Sequence, residues 1–245
     1  MIANDSEAAG SRGTTGHLSR LLVLGANGPT GRELVRQALD RGHEVHALTR
    51  HPDAFPIRHD RLHVLAGDAT DRAVIDDAVL RTDAVICTIG TKFTRHEVDV
   101  YSTSAHLLIT AMAKYDRRRL IVVTSFGVAP SQHRRGPVQK GSYVLARRTF
   151  ARTVYDDMAR MESYVSTSDL DWTIVRPPGL TNTPGEGYAT QETEINGAFC
   201  ARPDLALMLL DQLTDDQYLQ KIVAVTTPGL AVSALQMFKE EVLKR

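Results

Sequence analysis

The sequence has few cysteines, few aromatic residues, no surplus of charge and no long apolar run. Its two cysteines, Cys87 and Cys200, are too few for a disulfide framework and lack the spacing of metal ligands. Lysine plus arginine and aspartate plus glutamate number 29 each, which gives no bulk attraction to nucleic acid or to an anionic membrane. No apolar run approaches the roughly 18 residues that span a bilayer. We therefore expect a cytoplasmic protein whose partners include neither a membrane nor a nucleic acid.

The first 17 residues are small and polar and lack the apolar core of a secretory signal. We expect residues 1–17 to be a disordered tail that lies outside the fold. Residues 18–245 are enough for one domain with a well-buried core and too few for two. The 42% hydrophobic and 24% charged content is that of an ordinary globular protein, and a monomer or a homodimer is expected.

Apolar runs of strand length alternate with amphipathic stretches of helical length. This alternation predicts an α/β fold in which helices cover both faces of a mostly parallel sheet. The predicted strands up to residue 176 are 21–24, 44–48, 62–65, 84–88, 120–123 and 172–175. The predicted helices are 29–41, a short one capped by Thr70 and ending at 79, then 98–114 and 146–167. Six strands with these crossovers match the doubly wound Rossmann order 3-2-1-4-5-6.

Beyond Arg176 the pattern changes. Residues 177–199 are rich in Pro, Gly and Thr, and we predict there a small irregular portion that caps a substrate. A helix from about residue 204, a seventh strand at 222–226 and a closing helix near 231–243 complete the chain. The prediction is thus a single Rossmann domain with a sheet of six to seven strands.

A glycine-rich turn between the first strand and the first helix is the strongest functional signal. Gly25, Gly28 and Gly31 stand three residues apart in LLVLGANGPTGRELVRQAL. In this context the first glycine permits a tight turn, the second lets the backbone approach a pyrophosphate, and the third allows close helix–strand packing. The helix N-terminus then offers free N–H groups and partial positive charge to the phosphates. The motif predicts a bound dinucleotide; the alternative is a turn with only a packing role.

The end of the second predicted strand indicates which dinucleotide is bound. An NAD-binding protein usually places Asp or Glu there to bind the ribose 2′-OH, whereas this chain reads Leu48-Thr49-Arg50-His51. A guanidinium binds a 2′-phosphate bidentately, and a carboxylate would repel it. Arg50 therefore predicts NADPH, with NADH less favoured; the alternative is a solvated surface arginine.

These features resemble the atypical short-chain dehydrogenase/reductases, the branch that includes NmrA-like proteins and biliverdin-IXβ reductase (flavin reductase). The resemblance covers about residues 18–245 and includes GDA at 67–69, TIGT at 88–91, VTSF at 123–126 and LDWTIVRPPGL at 170–180. It implies a serine beside the nicotinamide and a Pro-Pro loop over it. Together with the glycine turn it implies as cofactor-binding residues Gly25, Asn27, Gly28, Pro29, Thr30, Gly31, Asp68, Ala69, Ile89, Gly90, Thr91, Thr124, Pro177, Pro178 and Leu180.

The YxxxK pair of typical short-chain dehydrogenases is absent. Tyr155 stands near the usual place but has Ala159 four residues on, and the nearest approximation is Tyr143 with Arg147. General acid–base help contributes roughly 10²–10⁴-fold, so its absence favours reactions in which hydride transfer dominates and water supplies the proton. Reduction of a flavin, a quinone or a linear tetrapyrrole fits, and biliverdin-IXβ reductase is similarly without the pair.

Ser125 is the expected catalytic residue. Spacing identifies no histidine–acid partner for it, so we expect a hydrogen bond to the nicotinamide or substrate rather than nucleophilic attack; its alternative role is to cap the turn after strand five. Asp156 and Asp157 fit either a solvated helix face or acid–base chemistry. His59 and His63 are four residues apart, but on a loop and a strand, so no metal site is expected.

The segment from Arg117 to Arg152 carries nine Lys or Arg residues and no Asp or Glu. Part of it leaves the carboxyl edge of the sheet, where ligands of such folds bind, and positive charge there raises the local concentration of an anionic substrate. The alternative is a solvated surface neutralised by acids elsewhere. The candidate substrate-binding residues are Phe126, Arg134, Arg135, Lys140 and Arg147.

Two classes of function fit these features. The first is an NADPH-dependent reductase of a small conjugated, possibly anionic, acceptor. The second is a non-enzymatic NADP(H) sensor of the NmrA type that signals through a partner protein. The shortness of segment 177–199 favours the reductase, since a regulator usually carries more surface for its partner. A nucleotide-sugar epimerase or dehydratase is disfavoured by the missing tyrosine–lysine pair.

Overall fold

The computed structural model describes residues 19–128, 151–192 and 197–230. The expected tail at 1–17 and the expected closing helix at 231–243 lie outside these ranges, as do Arg134, Arg135, Lys140, Tyr143 and Arg147. The described helices are α1 (Pro29–Asp40), α2 (Arg72–Leu80), α3 (Val100–Lys114), α4 (Arg152–Ser166) and α5 (Arg202–Asp211). The described strands are β1 (Arg20–Leu24), β2 (Glu44–Thr49), β3 (Leu62–Ala66), β4 (Ala84–Cys87), β5 (Arg119–Val123), β6 (Asp171–Arg176), β7 (Gly179–Thr181), β8 (Ala189–Gln191), β9 (Phe199–Ala201) and β10 (Lys221–Thr226).

Eight of these strands form one sheet in the order β3-β2-β1-β4-β5-β6-β10-β8. Every neighbouring pair is parallel except β10 and β8, which are antiparallel. The doubly wound order predicted for the first six strands is therefore confirmed. The sheet is larger than the six to seven strands expected, because β8 adds to its edge, and β7 and β9 pair separately.

Helices cover the sheet on both faces, as predicted. On one face α1 and α5 pack against alternate strand residues such as Leu21 and Val23; on the other, α2, α3 and α4 pack against Leu22 and Leu24. A strand covered on both faces has no solvated side, which is why β1 and β4 are continuous apolar runs. Across the described ranges, no helix is both long and apolar enough to cross a membrane.

Helix α1 shows how the sequence sets the geometry behind the glycine turn. Pro29 occupies the first turn, where its missing N–H costs nothing. The buried stripe Leu34, Val35, Ala38 and Leu39 faces the sheet. Gly42, with φ +92°, closes the helix: its N–H donates to Leu39 O and the next N–H donates to Ala38 O, a Schellman pattern.

Three expectations about local structure were wrong. Helix α2 is capped by Asp71, whose carboxylate accepts from two first-turn amides, while Thr70 instead hydrogen-bonds to Asp68. Helix α4 begins at Arg152, after the non-helical Ala151, so the predicted helix does not run unbroken from about 146; residues 146–150 lie outside the described ranges. The segment 177–199 is not wholly irregular, because it contains β7, β8 and the first residue of β9. Each of these strands has only three residues and pairs with a distant segment, so the sequence carries no periodic signal for it.

Cys87 and Cys200 are buried free thiols, as the absence of a disulfide framework predicted. Burial raises the pKa of each thiol to about 12. Both side chains are therefore packing residues of the core, Cys87 on β4 and Cys200 on β9.

Candidate functional site

The glycine turn lies where the strand order reverses, between β1 and β4. Gly25 has φ +74°, and a Cβ there would stand 2.6 Å from the carbonyl carbon of Thr88. A Cβ on Gly31 would stand 2.2 Å from Gly25 O and 2.7 Å from the Cα of Ala26. Backbone packing alone therefore requires glycine at both positions, as the motif predicted.

Gly28 is different, because no packing contact demands a glycine there. Its φ of −71° and ψ of 163° suit any residue, and within 4 Å a Cβ would meet only Gly25 O, at 3.2 Å. Gly28 is also the N-cap of α1, and no side chain caps this helix. The first-turn amides of α1 thus have no capping side chain from the N-cap residue, and a helix N-terminus of this kind can bind phosphates.

A guanidinium adds positive charge beside this turn. Asn27 Oδ1 accepts hydrogen bonds from Arg32 Nε at 3.0 Å and Nη2 at 2.8 Å. The bidentate contact joins the turn to the second turn of α1 and fixes the direction of the Arg32 side chain. The sequence analysis identified Asn27 but missed Arg32, which follows the last glycine directly.

Arg50 and Asp68 follow the neighbouring strands β2 and β3. Gly67 N donates to Thr49 O at 3.0 Å, which holds the two strand ends together. The pKa of the Asp68 carboxyl is lowered mainly by hydrogen bonds from the amide and hydroxyl of Thr70, and further by the charge of Arg50. The exposed Arg50 guanidinium is thus close to Asp68, at the edge where the adenine ribose of a dinucleotide lies in this fold.

The loop after β4 is held by a buried tyrosine that the sequence analysis did not identify. The Tyr101 hydroxyl accepts from the amide of Thr91 at 3.0 Å, and burial raises the pKa of this phenol to about 12. Thr88 Oγ1 donates to Leu24 O at 3.0 Å, so the start of the loop is tied to β1. Ile89 packs into the core and Gly90 is exposed. We call the region bordered by the glycine turn and the loops after β4, β5 and β6 the cofactor groove.

Asp157 proves to be neither a solvated residue nor an acid facing the groove. It is fully buried, and its carboxylate accepts from Tyr101 N at 2.8 Å. Arg160 Nη2 donates to the other carboxylate oxygen at 3.0 Å. A carboxylate at a helix N-terminus is favoured by the helix dipole, so Asp157 anchors α3 and, through Tyr101, the loop after β4. Asp156 is half-exposed and faces Arg152 across one helical turn.

The ends of β5 and β6 are joined by a buried ion pair. Glu162 of α4 accepts from Arg176 Nε at 2.9 Å and from Arg176 Nη2 at 2.5 Å. Glu162 also accepts from the Thr124 hydroxyl at 2.6 Å. Thr124 and Arg176 directly precede Ser125 and Pro177, so the pair sets where both predicted nicotinamide loops begin.

Ser125 caps the turn that follows β5. Its Oγ accepts from Gly127 N at 3.2 Å, and in the described ranges its own proton has no acceptor. Phe126 N donates to Pro177 O at 3.1 Å, which brings the Ser125 turn against the buried Pro177 and Pro178. The structure therefore shows the capping role, and the hydroxyl keeps a proton to donate.

Tyr155 lies in α4 with most of its surface buried, in the same cluster as Met158. Its ring stands 5.9 Å from that of Phe93, which is 57% exposed in the loop after β4. Thr153 Oγ1 donates to Thr94 O at 2.8 Å and fixes this loop against α4. The arrangement leaves the ring of Phe93 exposed beside Tyr155, in the loop after β4.

These residues define a class of protein. All the loops that carry them leave the carboxyl ends of parallel strands, and the glycine turn lies at the reversal of strand order, as in dinucleotide-binding Rossmann proteins. The chain matches the family described as NAD(P)H-binding over residues 25–216 and belongs to that family. The prediction of a nicotinamide dinucleotide as cofactor is confirmed.

The similar proteins include reductases. An uncharacterised chloroplastic protein of Arabidopsis thaliana is 30% identical over 185 residues, covering 71% of this chain and 64% of the plant protein, so the chain spans less than two thirds of that relative. ChuY of Escherichia coli O157:H7, an anaerobillin reductase, is 25% identical with a TM-score of 0.69, covering 87% of this chain and 100% of ChuY. A Veillonella parvula short-chain dehydrogenase/reductase in complex with NADP is 19% identical with a TM-score of 0.73, covering 87% and 96%. The resemblance to atypical short-chain dehydrogenase/reductases is confirmed.

Proposed function

We propose that this protein is an NADPH-dependent reductase that transfers a hydride to a conjugated acceptor such as a flavin, a quinone or a linear tetrapyrrole. The observation that carries the proposal is the missing acid–base pair: Tyr155, on the buried face of α4, has Ala159 four residues on, where a lysine would stand. No ammonium lies four residues on to lower the pKa of its phenol. Such a site supports hydride transfer to acceptors that delocalise the incoming charge.

Two other features support the same chemistry. The exposed ring of Phe93 beside Tyr155 is a surface on which a planar acceptor can stack. The Ser125 hydroxyl caps its turn and keeps its own proton, so it can donate a hydrogen bond to the nicotinamide amide or to a carbonyl of the acceptor. The likeness to a reductase at 25% identity is consistent with this assignment.

The Tyr155→Phe variant tests whether a tyrosine acid takes part. We expect its turnover to stay within about threefold of the native protein, whereas loss of a general acid costs roughly 10²–10⁴-fold. Steady-state oxidation of NADPH with a saturating acceptor measures the difference. A loss of a hundredfold, with thermal unfolding unchanged, would contradict the proposal; Tyr164→Phe, on the exposed side of the same helix, is the matched control.

A panel of acceptors tests the reaction itself. We expect NADPH oxidation above the spontaneous rate with at least one of FMN, riboflavin, a small quinone or biliverdin. The loss of the reduced-nicotinamide absorbance measures this oxidation. Tight NADPH binding with no turnover on any of them would refute the reductase and favour the NADP(H) sensor.

Arg50→Ala tests the choice of cofactor. A charge-assisted contact to the 2′-phosphate is lost, so we expect the Kd for NADPH to rise about 10- to 100-fold, or about 1.4–2.8 kcal/mol, with little change for NADH. Titration calorimetry with each cofactor gives both values. Arg118→Ala is the control, because this exposed arginine pairs with Asp171 at the amino ends of the strands. Equal losses of affinity for NADPH and NADH would show that Arg50 does not bind the 2′-phosphate.

A further inference from the structure

A second cluster of polar groups lies at the amino-terminal part of β2 and β3, away from the carboxyl edge that carries the glycine turn. Glu44 and His46 alternate along β2 and so share one face of the sheet. His63 of β3 stands directly opposite His46 in the parallel register. The two imidazole rings are stacked, with centroids 4.8 Å apart.

One atom from each side chain points to a common centre. Glu44 Oε1 lies 3.3 Å from His46 Nε2 and 3.0 Å from His63 Nε2, and all three atoms lie within 4.8 Å of one another. Ligands held 2.0–2.2 Å from a tetrahedral Zn²⁺ are about 3.3–3.5 Å apart. The two Glu44 contacts are already near this spacing, and the two imidazoles have to approach each other by at most about 1.5 Å for all three to bind one ion.

The condition of His46 points to a ligand that the protein alone does not supply. The residue is 7% exposed, and in the described part of the chain neither of its ring nitrogens has a hydrogen-bond partner. Buried polar atoms are normally paired, and an unpaired one is a mark of an absent water or ion. Glu44 Oε1 makes only a long contact of 3.3 Å with His46 Nε2 and shares it with His63, so the carboxylate alone does not satisfy both nitrogens of the imidazole.

The charges around the cluster also suit a cation. The positive charge of Arg81 in α2 disfavours a positive charge on His46, but the Asp77 carboxylate accepts hydrogen bonds of 3.0 and 2.7 Å from the Arg81 guanidinium. Arg20 attracts the Glu44 carboxylate electrostatically, but the Arg20 guanidinium is paired with Asp83 at 2.6 Å. Each of these two cations is therefore neutralised by another carboxylate, and the negative charge of Glu44 can interact with a bound metal ion.

We propose that Glu44, His46 and His63 form a binding site for a divalent transition-metal ion such as Zn²⁺, with a water in the open position. Two imidazoles and one carboxylate are a ligand set that Zn²⁺ accepts. The ion would join the edge strand β3 to β2, so its role is to hold the edge of the sheet. Spacing along the chain pairs His63 with His59 and so predicts no metal site, whereas the strand register pairs His63 with His46.

Titration of the full chain, purified without an affinity tag and freed of metal, with Zn²⁺ alone tests the proposal. We expect one ion per chain, a higher midpoint of thermal unfolding with Zn²⁺, and at least tenfold weaker binding in His63→Ala. His63 is half-exposed, so this variant is expected to fold. The control His59→Ala removes an exposed histidine four residues away and should bind as the native chain does.

A second measurement identifies the ligands. Co²⁺ in the same site should give the visible absorption of a low-coordinate ion, and that band should be absent in His63→Ala and Glu44→Gln. Absence of stoichiometric Zn²⁺ binding by the native chain would overturn the proposal. So would unchanged binding in His63→Ala, or an equal loss in His63→Ala and His59→Ala, because each would place the ion elsewhere.

Discussion

Gly31→Ala is expected to destabilise the protein by about 3 kcal/mol or more. The added Cβ would stand 2.2 Å from Gly25 O and 2.7 Å from the Cα of Ala26. Both contacts are backbone atoms, so no side-chain rotation relieves them, and α1 has to move away from β1. The gain of about 1 kcal/mol in helix propensity from Gly to Ala is too small to offset this.

Gly28→Ala is the matched comparison in the same turn. Its Cβ would meet only Gly25 O at 3.2 Å, and its backbone angles suit alanine. We therefore expect a loss of only about 1 kcal/mol in stability, from the poorer N-cap and the close contact, but at least tenfold weaker NADPH binding, since the methyl group occupies the approach of the pyrophosphate to α1. Urea denaturation and titration calorimetry separate the two effects. Full NADPH affinity in Gly28→Ala would contradict the assignment of the turn as the phosphate site.

Much of the fold followed from periodicity. Six strands and the order of their pairing were predictable because strands rich in apolar residues alternate with helices that have a buried stripe, and this alternation is typical of the doubly wound sheet. The strands β7, β8 and β9 were not, because three residues carry no period, and their pairing depends on contacts with residues far along the chain. The cap of α2 was misplaced by one residue, since Thr70 and Asp71 are both good N-caps.

The site was predictable where backbone shape decides it. Gly25 and Gly31 were identified correctly because only glycine fits those positions. Buried polar partners were not predictable, since spacing along the chain does not show which strand end a helix side chain reaches. Asp157 and Glu162 lie in α4, but their carboxylates accept hydrogen bonds from the N-terminus of α3 and from the end of β6, respectively.

Glu162→Gln is the second change with a large expected effect, about 3–5 kcal/mol of stability. The amide keeps the shape of the side chain and can still meet the Thr124 hydroxyl. It leaves the Arg176 guanidinium, 8% exposed, without its carboxylate. Removing one partner of a buried ion pair is costly, because the remaining charge stays out of solvent and loses its main counter-charge. Urea denaturation gives the difference, and Glu192→Gln, which breaks the exposed pair with Lys221, should cost no more than about 1 kcal/mol.

The double replacement Glu162→Met with Arg176→Met separates charge from packing. If the loss in Glu162→Gln comes from the missing carboxylate charge, removing both charges should recover much of it, because apolar pairs of similar volume often replace buried ion pairs without loss. Weaker NADPH binding is expected to remain, because Thr124 and Arg176 lead directly into the Ser125 and Pro177 loops. A double variant as unstable as Glu162→Gln, or a Glu162→Gln variant as stable as Glu192→Gln, would show that the ion pair does not hold these strand ends.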